Sequence, residues 1–340
     1  MRIRSFLLLC FCGVAVPGAA ASLWLSSNAF EAWRQAEQAQ RFTLAVSDAQ
    51  RAQTAIAVEI GAFASNLRMP VPQIEVLREA AVQTDRRLQT AAATASAAGF
   101  AAAPARDILA RLQQLRPRAH AEMARPLEQR DASLPAVTQE ARNQSVEAMR
   151  RLATEAAERV AATAPGAALL VEVATAAMDF RDFIGRRSTP VTAWIGGLAV
   201  TPQSYDEMML FTGRMEQAWA SAQRLIAALP QAERLQAAVV AQRAAQAGLE
   251  PRWRQMLALG RGVLLQGKAE WGTSMAEFRP WSLQSQAEIL TLRDAALDDA
   301  VALTEAASGR ALAGFAAALA LALAVGAAAA GSVVLLLRRL

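Results

Sequence analysis

This sequence predicts an all-α fold: an elongated extracytoplasmic helical bundle, built as two stacked four-helix-type modules, between two transmembrane helices. Three observations predict it. The chain is 54% hydrophobic but only 6% aromatic, and much of the excess is alanine, which has the best helix propensity and little to bury, so long helices packed at close range are favoured over sheets. Ala311 to Leu337 runs 27 residues without a charge, where about 20 suffice to cross a hydrocarbon core of roughly 30 Å. Ser5 to Phe30 is a second uncharged run, of 26 residues.

The N-terminal run admits two readings. The apolar stretch SFLLLCFCGVAV followed by PGAAAS has the form of a cleavable secretory signal, with Ala19 and Ala21 at suitable cleavage positions. The preferred reading is an uncleaved first span over residues 5–27, which continues through Ser22-Leu23-Trp24-Leu25 with Trp24 near the outer interface. Arg2 and Arg4 at one end and Arg338 and Arg339 at the other carry the positive-inside signature. Residues 1–4 and 338–340 are therefore expected in the cytoplasm, 310–337 as the second span, and 28–309 in the periplasm of a multi-pass inner-membrane protein.

Within 28–309, helices are expected between breaks marked by proline and glycine. Phe30 to Leu67 is one helical pattern stopped at Met69-Pro70-Val71-Pro72, since proline lacks the N–H donor and disfavours helix in the preceding residue. Ile74 to about Ser96, Ala105 to about Gln129, and Leu134 to Thr163 follow, and Ala164-Pro165-Gly166 divides the segment into halves of about 28–164 and 165–309. Next come Ala167 to Arg187, a short helix from Pro190 to about Val200, and a cap at Thr201-Pro202-Gln203-Ser204. The helix after this cap shows its packing face at three- and four-residue steps: Met208, Phe211, Met215, Trp219, Ala222, Ile226 and Leu229. Gln231 to Gln246 and Arg252 to Gln266 extend the bundle, Gly267 to Trp281 reads as an irregular link, and one helix runs from Ser282 into the second span without a proline.

The chemistry-bearing residues are few. The net charge of +5 and pI near 10.3 come from arginine, Lys268 being the sole lysine, and the arginines alternate with acids along the helices, so nucleic acid is not expected as a partner. Cys10 and Cys12 both lie in the apolar run and give no disulfide framework. With His120 as the only histidine, neither a zinc site nor a Ser-His-Asp arrangement is expected. Asp294 and Asp298, and Asp298 with Asp299, are the paired acids that could share a proton, and they read more simply as a solvated helix face. No enzyme activity, metal or cofactor is expected.

Two stretches carry a family resemblance. Asp48-Ala49-Gln50-Arg51, then Glu59-Ile60-Gly61-Ala62-Phe63-Ala64-Ser65-Asn66-Leu67 and the prolines, resembles the nitrate- and nitrite-sensing (NIT-type) helical region of bacterial transmembrane receptors, with Ile60 where that family usually has arginine. Phe180-Arg181-Asp182-Phe183-Ile184-Gly185-Arg186-Arg187, Gly213-Arg214-Met215-Glu216-Gln217-Ala218-Trp219, Ala276-Glu277-Phe278 and Leu292-Arg293-Asp294-Ala295-Ala296-Leu297 are similar to its downstream repeat and final run. The resemblance implies two spans flanking an extracytoplasmic bundle, a homodimer, and a HAMP linker leading to a chemotaxis, cyclase or kinase output that this chain, ending at Leu340, does not contain.

The expected function is then a membrane-bound receptor region that detects a small ligand, such as an anion, or a periplasmic protein, and passes a helix shift across the bilayer to a cytoplasmic output. Arginine suits an oxyanion because its planar guanidinium offers several fixed donors; Arg51, Arg181, Arg186 and Arg214 are the candidate ligand-binding residues. Gly314, Gly326 and Gly331 would allow close helix contact in a dimer. The alternative is a membrane-tethered helical scaffold that senses nothing, and a third reading has a cleaved signal and a mature N-terminus near Ala21 or Ser22.

Overall fold

The computed structural model describes residues 3–229, 233–267, 270–284 and 286–339, and the side chains of 1–12, among others, fall outside that description. Arg2, Gln231 and Lys268 lie outside the described residues, as do the side chains of Cys10 and Cys12. Among the described residues the chain is helical, without strands: α1 (Ile3–Asn66), α2 (Ile74–Ala97), α3 (Ala103–Met123), α4 (Leu134–Thr163), α5 (Pro165–Ile195), α6 (Pro202–Ala228), α7 (Glu233–Gln266), α8 (Met275–Gln284) and α9 (Ala287–Arg339), with a 3₁₀ turn at Leu127–Gln129.

The helix ends follow from local chemistry. At the end of α1 the Asn66 side chain accepts a hydrogen bond from the Gln73 backbone N–H at 2.6 Å, and Arg130 donates to the carbonyls of Asn66, Leu67 and Met69 at 3.3, 3.1 and 2.6 Å. These bonds take up carbonyls that a helix end leaves without partners. Gly99 turns the chain after α2 with φ +82°, a conformation that glycine adopts without Cβ strain. Ala164 leaves the helical region before Pro165 with φ −141° and ψ 72°, as the steric clash with a following proline requires. Thr201 caps α6 by accepting from the Ser204 N–H, while the Ser204 side chain bonds back to the Thr201 N–H.

The second half of α1 presents Ala49, Ala52, Ile56 and Ile60 to Leu88 of α2, Ile108 and Leu112 of α3 and Met149 of α4. Small alanines along α1 let the neighbouring helices approach closely. Phe63, Leu67, Leu77 and Leu134 close the far end of this packing. Each large apolar side chain so enclosed contributes about 1.5–3 kcal/mol by leaving water. A second core joins α5, α6, α7 and α9 through Val173, Phe180, Ile184, Met215, Leu235, Leu292 and Leu297, and Trp194, Met208, Trp253, Met256 and Phe278 fill its end. α1 and α9 run antiparallel: Arg51 meets Asp294 and Asp298, while Phe30 and Trp33 meet Phe315 with ring centroids 5.3 and 5.9 Å apart.

Several elements differ from expectation. α1 is continuous from Ile3 rather than beginning a new helix at Phe30. α5 carries straight through Pro190 to Ile195. Around that proline, the Ser188 and Thr189 hydroxyls donate to the Gly185 carbonyl at 2.8 and 3.1 Å and Thr192 donates to the Ser188 carbonyl at 2.8 Å. α7 likewise runs through Pro251. The link before the last helix contains α8, and α9 starts at Ala287. His120 packs edge-on against Phe63 at 5.8 Å.

Candidate functional site

Where α1, α4, α5 and α9 meet, arginines replace apolar residues on the helix faces that point inward. On α5 the inward stripe is Ala174, Ala177, Arg181 and Ile184; on α9 it is Ile289, Arg293, Ala296 and Ala300; on α4 it is Thr138, Arg142, Ser145 and Met149. Arg142, Arg181 and Arg293 are 9%, 5% and 4% exposed. Burial of a guanidinium is costly unless acceptors surround it, so the acceptors decide what this layer can do.

Two of the three have them. Asp294 Oδ1 accepts from Arg293 Nε and Nη2 at 3.2 and 2.9 Å and also from Arg51 Nε at 3.3 Å, and Asp298 takes the other arm of Arg51 at 2.6 Å. Arg293 also reaches the Thr54 hydroxyl and the Met178 sulfur. Arg142 lies 3.5 Å from Asp182, whose other oxygen is held by Arg186 at 2.7 Å. Arg181 has no carboxylate within 4 Å among the described residues, and its Nε has no acceptor. Burial, then repulsion from Arg142, push its pKa down to about 10. It therefore stays charged at neutral pH.

Burial weighs on the other arginines of the layer too, lowering the pKa of Arg142 and of Arg293 against the partial help of Asp182 and Asp294. Arg51 is instead raised, because its bonds to Asp298 and Asp294 outweigh the opposing effect of burial. A small anion beside Arg181 would supply the missing countercharge. A second buried cation, Arg187, sits 4.0 Å over the Trp253 ring with Nε and Nη1 lacking acceptors.

The four arginines singled out in the sequence separate here. Arg51 and Arg181 belong to the layer. Arg186 and Arg214 are exposed and lie over Phe211 and Phe183 at 5.7 and 6.0 Å, around a stacked aromatic pair 6.3 Å apart. Sequence reasoning missed Arg142 and Arg293. The signal for both was an arginine at an inward position of an apolar stripe; Arg186 and Arg214 fall off that stripe. The acids Asp294 and Asp298 form the ion pair to Arg51 rather than an acid pair that shares a proton. Among the described residues no group of three His, Cys, Asp or Glu could hold a metal.

No family description and no curated protein sequence matches the chain. Its fold is similar to that of a solved structure, the NasR transcription antiterminator, with a TM-score of 0.63 over 89% of this chain and 82% of that one, at 14% identity.

These findings correct the functional expectation. The chain shares its fold with a solved transcription antiterminator. Among the described residues one helix, within Pro280–Leu335, is long and apolar enough to cross a membrane, where two had been expected. The first expected span, 5–27, begins in residues whose side chains lie outside the description. The two-span inner-membrane receptor with a periplasmic sensor domain, its chemotaxis association and its scaffold alternative are therefore withdrawn. The exclusion of nucleic acid is withdrawn with them, and the other expected partners, the lipid bilayer, a homodimer, a small-molecule ligand or periplasmic protein and a cytoplasmic signalling output, gain no support from this likeness.

Proposed function

We propose that this chain is a helical regulatory module that holds a small oxyanion in the arginine layer between α1, α4, α5 and α9. Arg181 carries this reading: it is a buried guanidinium with no carboxylate within 4 Å among the described residues, helped only at longer range by Asp182 and flanked by two more buried arginines. A bound anion would remove a penalty of several kcal/mol that an uncompensated buried charge imposes. The planar fork of arginine suits a planar or tetrahedral oxyanion better than a spherical ion.

The resemblance to the NIT-type region supports the same ligand class. The similarity to a transcription antiterminator supports a role in gene regulation. On this reading the chain is two four-helix-type modules, about 28–164 and 165–309, and the anion joins them where α1 and α4 meet α5 and α9. Ligand occupancy would then set how firmly the modules are held together.

The test is thermal melting of the full chain, in a neutral detergent that accommodates the apolar end of α9, with nitrate, sulfate or phosphate against chloride at matched ionic strength. A ligand that binds only the folded state at 100 times its Kd stabilises it by about 2.7 kcal/mol. Arg181→Gln should melt at or above the wild-type temperature without ligand, because a buried charge is gone, and should lose the oxyanion shift. No shift with any of the three oxyanions, or an equal shift in Arg181→Gln, would overturn the proposal.

A further inference from the structure

A cavity of about 410 Å³ opens between α4 and α5, with α1 behind it. Its chemistry is the reverse of the arginine layer. Acceptors line it: Glu158 and Glu172 stand exposed at its walls, and Asp179 lies deeper. Among the described residues none of these three carboxylates has an ion pair within 4 Å, and Arg150, the cation at this cavity, is already held by both oxygens of Glu147 at 2.8 and 3.2 Å.

The wall contributed by α1 supplies a second observation. Gln53 is 5% exposed, lines the cavity, and has no hydrogen-bond partner among the described residues. Gln50 is 2% exposed; its Nε2 donates to the Thr175 hydroxyl at 3.2 Å, while its Oε1 has no donor. Buried amides are satisfied in folded proteins. The orphaned amide oxygen of Gln50, a buried residue of the cavity wall, therefore points to something that occupies the cavity.

We propose that the α4/α5 cavity binds a small organic cation carrying several N–H donors, of the amine or guanidinium class. Asp179 and the rim glutamates neutralise its charge, and Gln50 Oε1 and Gln53 accept from its N–H groups. An inorganic anion would face three carboxylates. The cavity lies within the range of small-molecule sites, about 300–1,000 Å³. The site adjoins the arginine layer at Met178, which Arg293 also reaches, but the acceptors that line it are not those of the layer and the proposal does not depend on the anion reading.

Isothermal titration of the full detergent-solubilised chain with putrescine, spermidine and agmatine tests this at fixed ionic strength set with sodium chloride. Wild type should bind at least one of the three saturably. Asp179→Asn and Gln53→Leu should each weaken that binding at least tenfold while leaving helical content and any oxyanion melting shift unchanged. If none of the three cations binds wild type, or if both variants bind as wild type does, the proposal fails. Should Gln53→Leu misfold, Glu172→Gln serves in its place, with the same expected weakening.

Discussion

Arg116 is the best place to measure what buried charge does to this fold. It reaches from α3 into the packing of α1 and α2, donating to Glu59 at 2.7 and 3.2 Å and to Asp85 at 2.6 and 3.1 Å. The Glu59 side chain is 0% exposed, Arg116 14% and Asp85 33%. Burial works against the charge on Arg116, but the bonds to Glu59 and Asp85 outweigh it and its pKa is raised. Arg116→Met keeps the aliphatic length and removes the donors. Asp85 can turn to water; Glu59 cannot. Stranding a buried carboxylate costs about 3–5 kcal/mol. Replacing both members with apolar residues is often nearly neutral, so Arg116→Met with Glu59→Leu should recover most of the loss. Urea unfolding followed by far-UV circular dichroism reads both. A single variant within about 1 kcal/mol of wild type, or a double variant worse than the single, would refute this reasoning, since either outcome requires Glu59 to find solvent or another donor.

Three further outcomes follow from individual sites. A Cβ on Gly260 would stand 3.0 Å from the Trp194 ring, which is stacked between Tyr205 and Trp271, whereas one on Gly262 meets nothing within 4 Å. In melting experiments Gly262→Ala should therefore gain up to about 1 kcal/mol from helix propensity, and Gly260→Ala should lose up to about 2 kcal/mol as overpacking outweighs that gain. Thr201→Ala removes the reciprocal cap of α6 and should cost about 1 kcal/mol in the same assay. Burial raises the Asp48 pKa above the ordinary carboxylate value, with Arg51 opposing. A raised folded-state pKa favours folding at low pH, and that contribution is lost as pH rises through it. Asp48→Asn should then stabilise the protein at neutral pH, with the gain vanishing at acid pH; a gain that persists below pH 3 would contradict the sign.

The helical fold was legible because the packing stripes are long and regular. Met208, Met215 and Ala222 recur at helical spacing on α6 and are buried in the structure, and Thr201 with Ser204 forms the cap their residue types allow. Pro190 reads in sequence as the start of a short helix, whereas α5 runs through it to Ile195, the loss of one ladder bond being too small to break a helix packed along Val191 and Trp194. The site was half legible. Arg181 sits at an inward position of its helix and Arg186 does not, a distinction the spacing carries. Arg142 and Arg293 lie 151 residues apart in sequence, and no local pattern says that both come near Arg181. Function was the least legible, because hydropathy at the two ends says nothing of which side chains meet inside the bundle between them.

The most direct test of the account is titration calorimetry of the full chain and of Arg181→Gln with nitrate, sulfate and phosphate, with chloride as the control. The account predicts saturable binding of at least one oxyanion by wild type, and its loss in Arg181→Gln without loss of stability. Wild type that binds none of them, or an Arg181→Gln variant that binds equally well, would contradict the claim that this buried guanidinium awaits an anion.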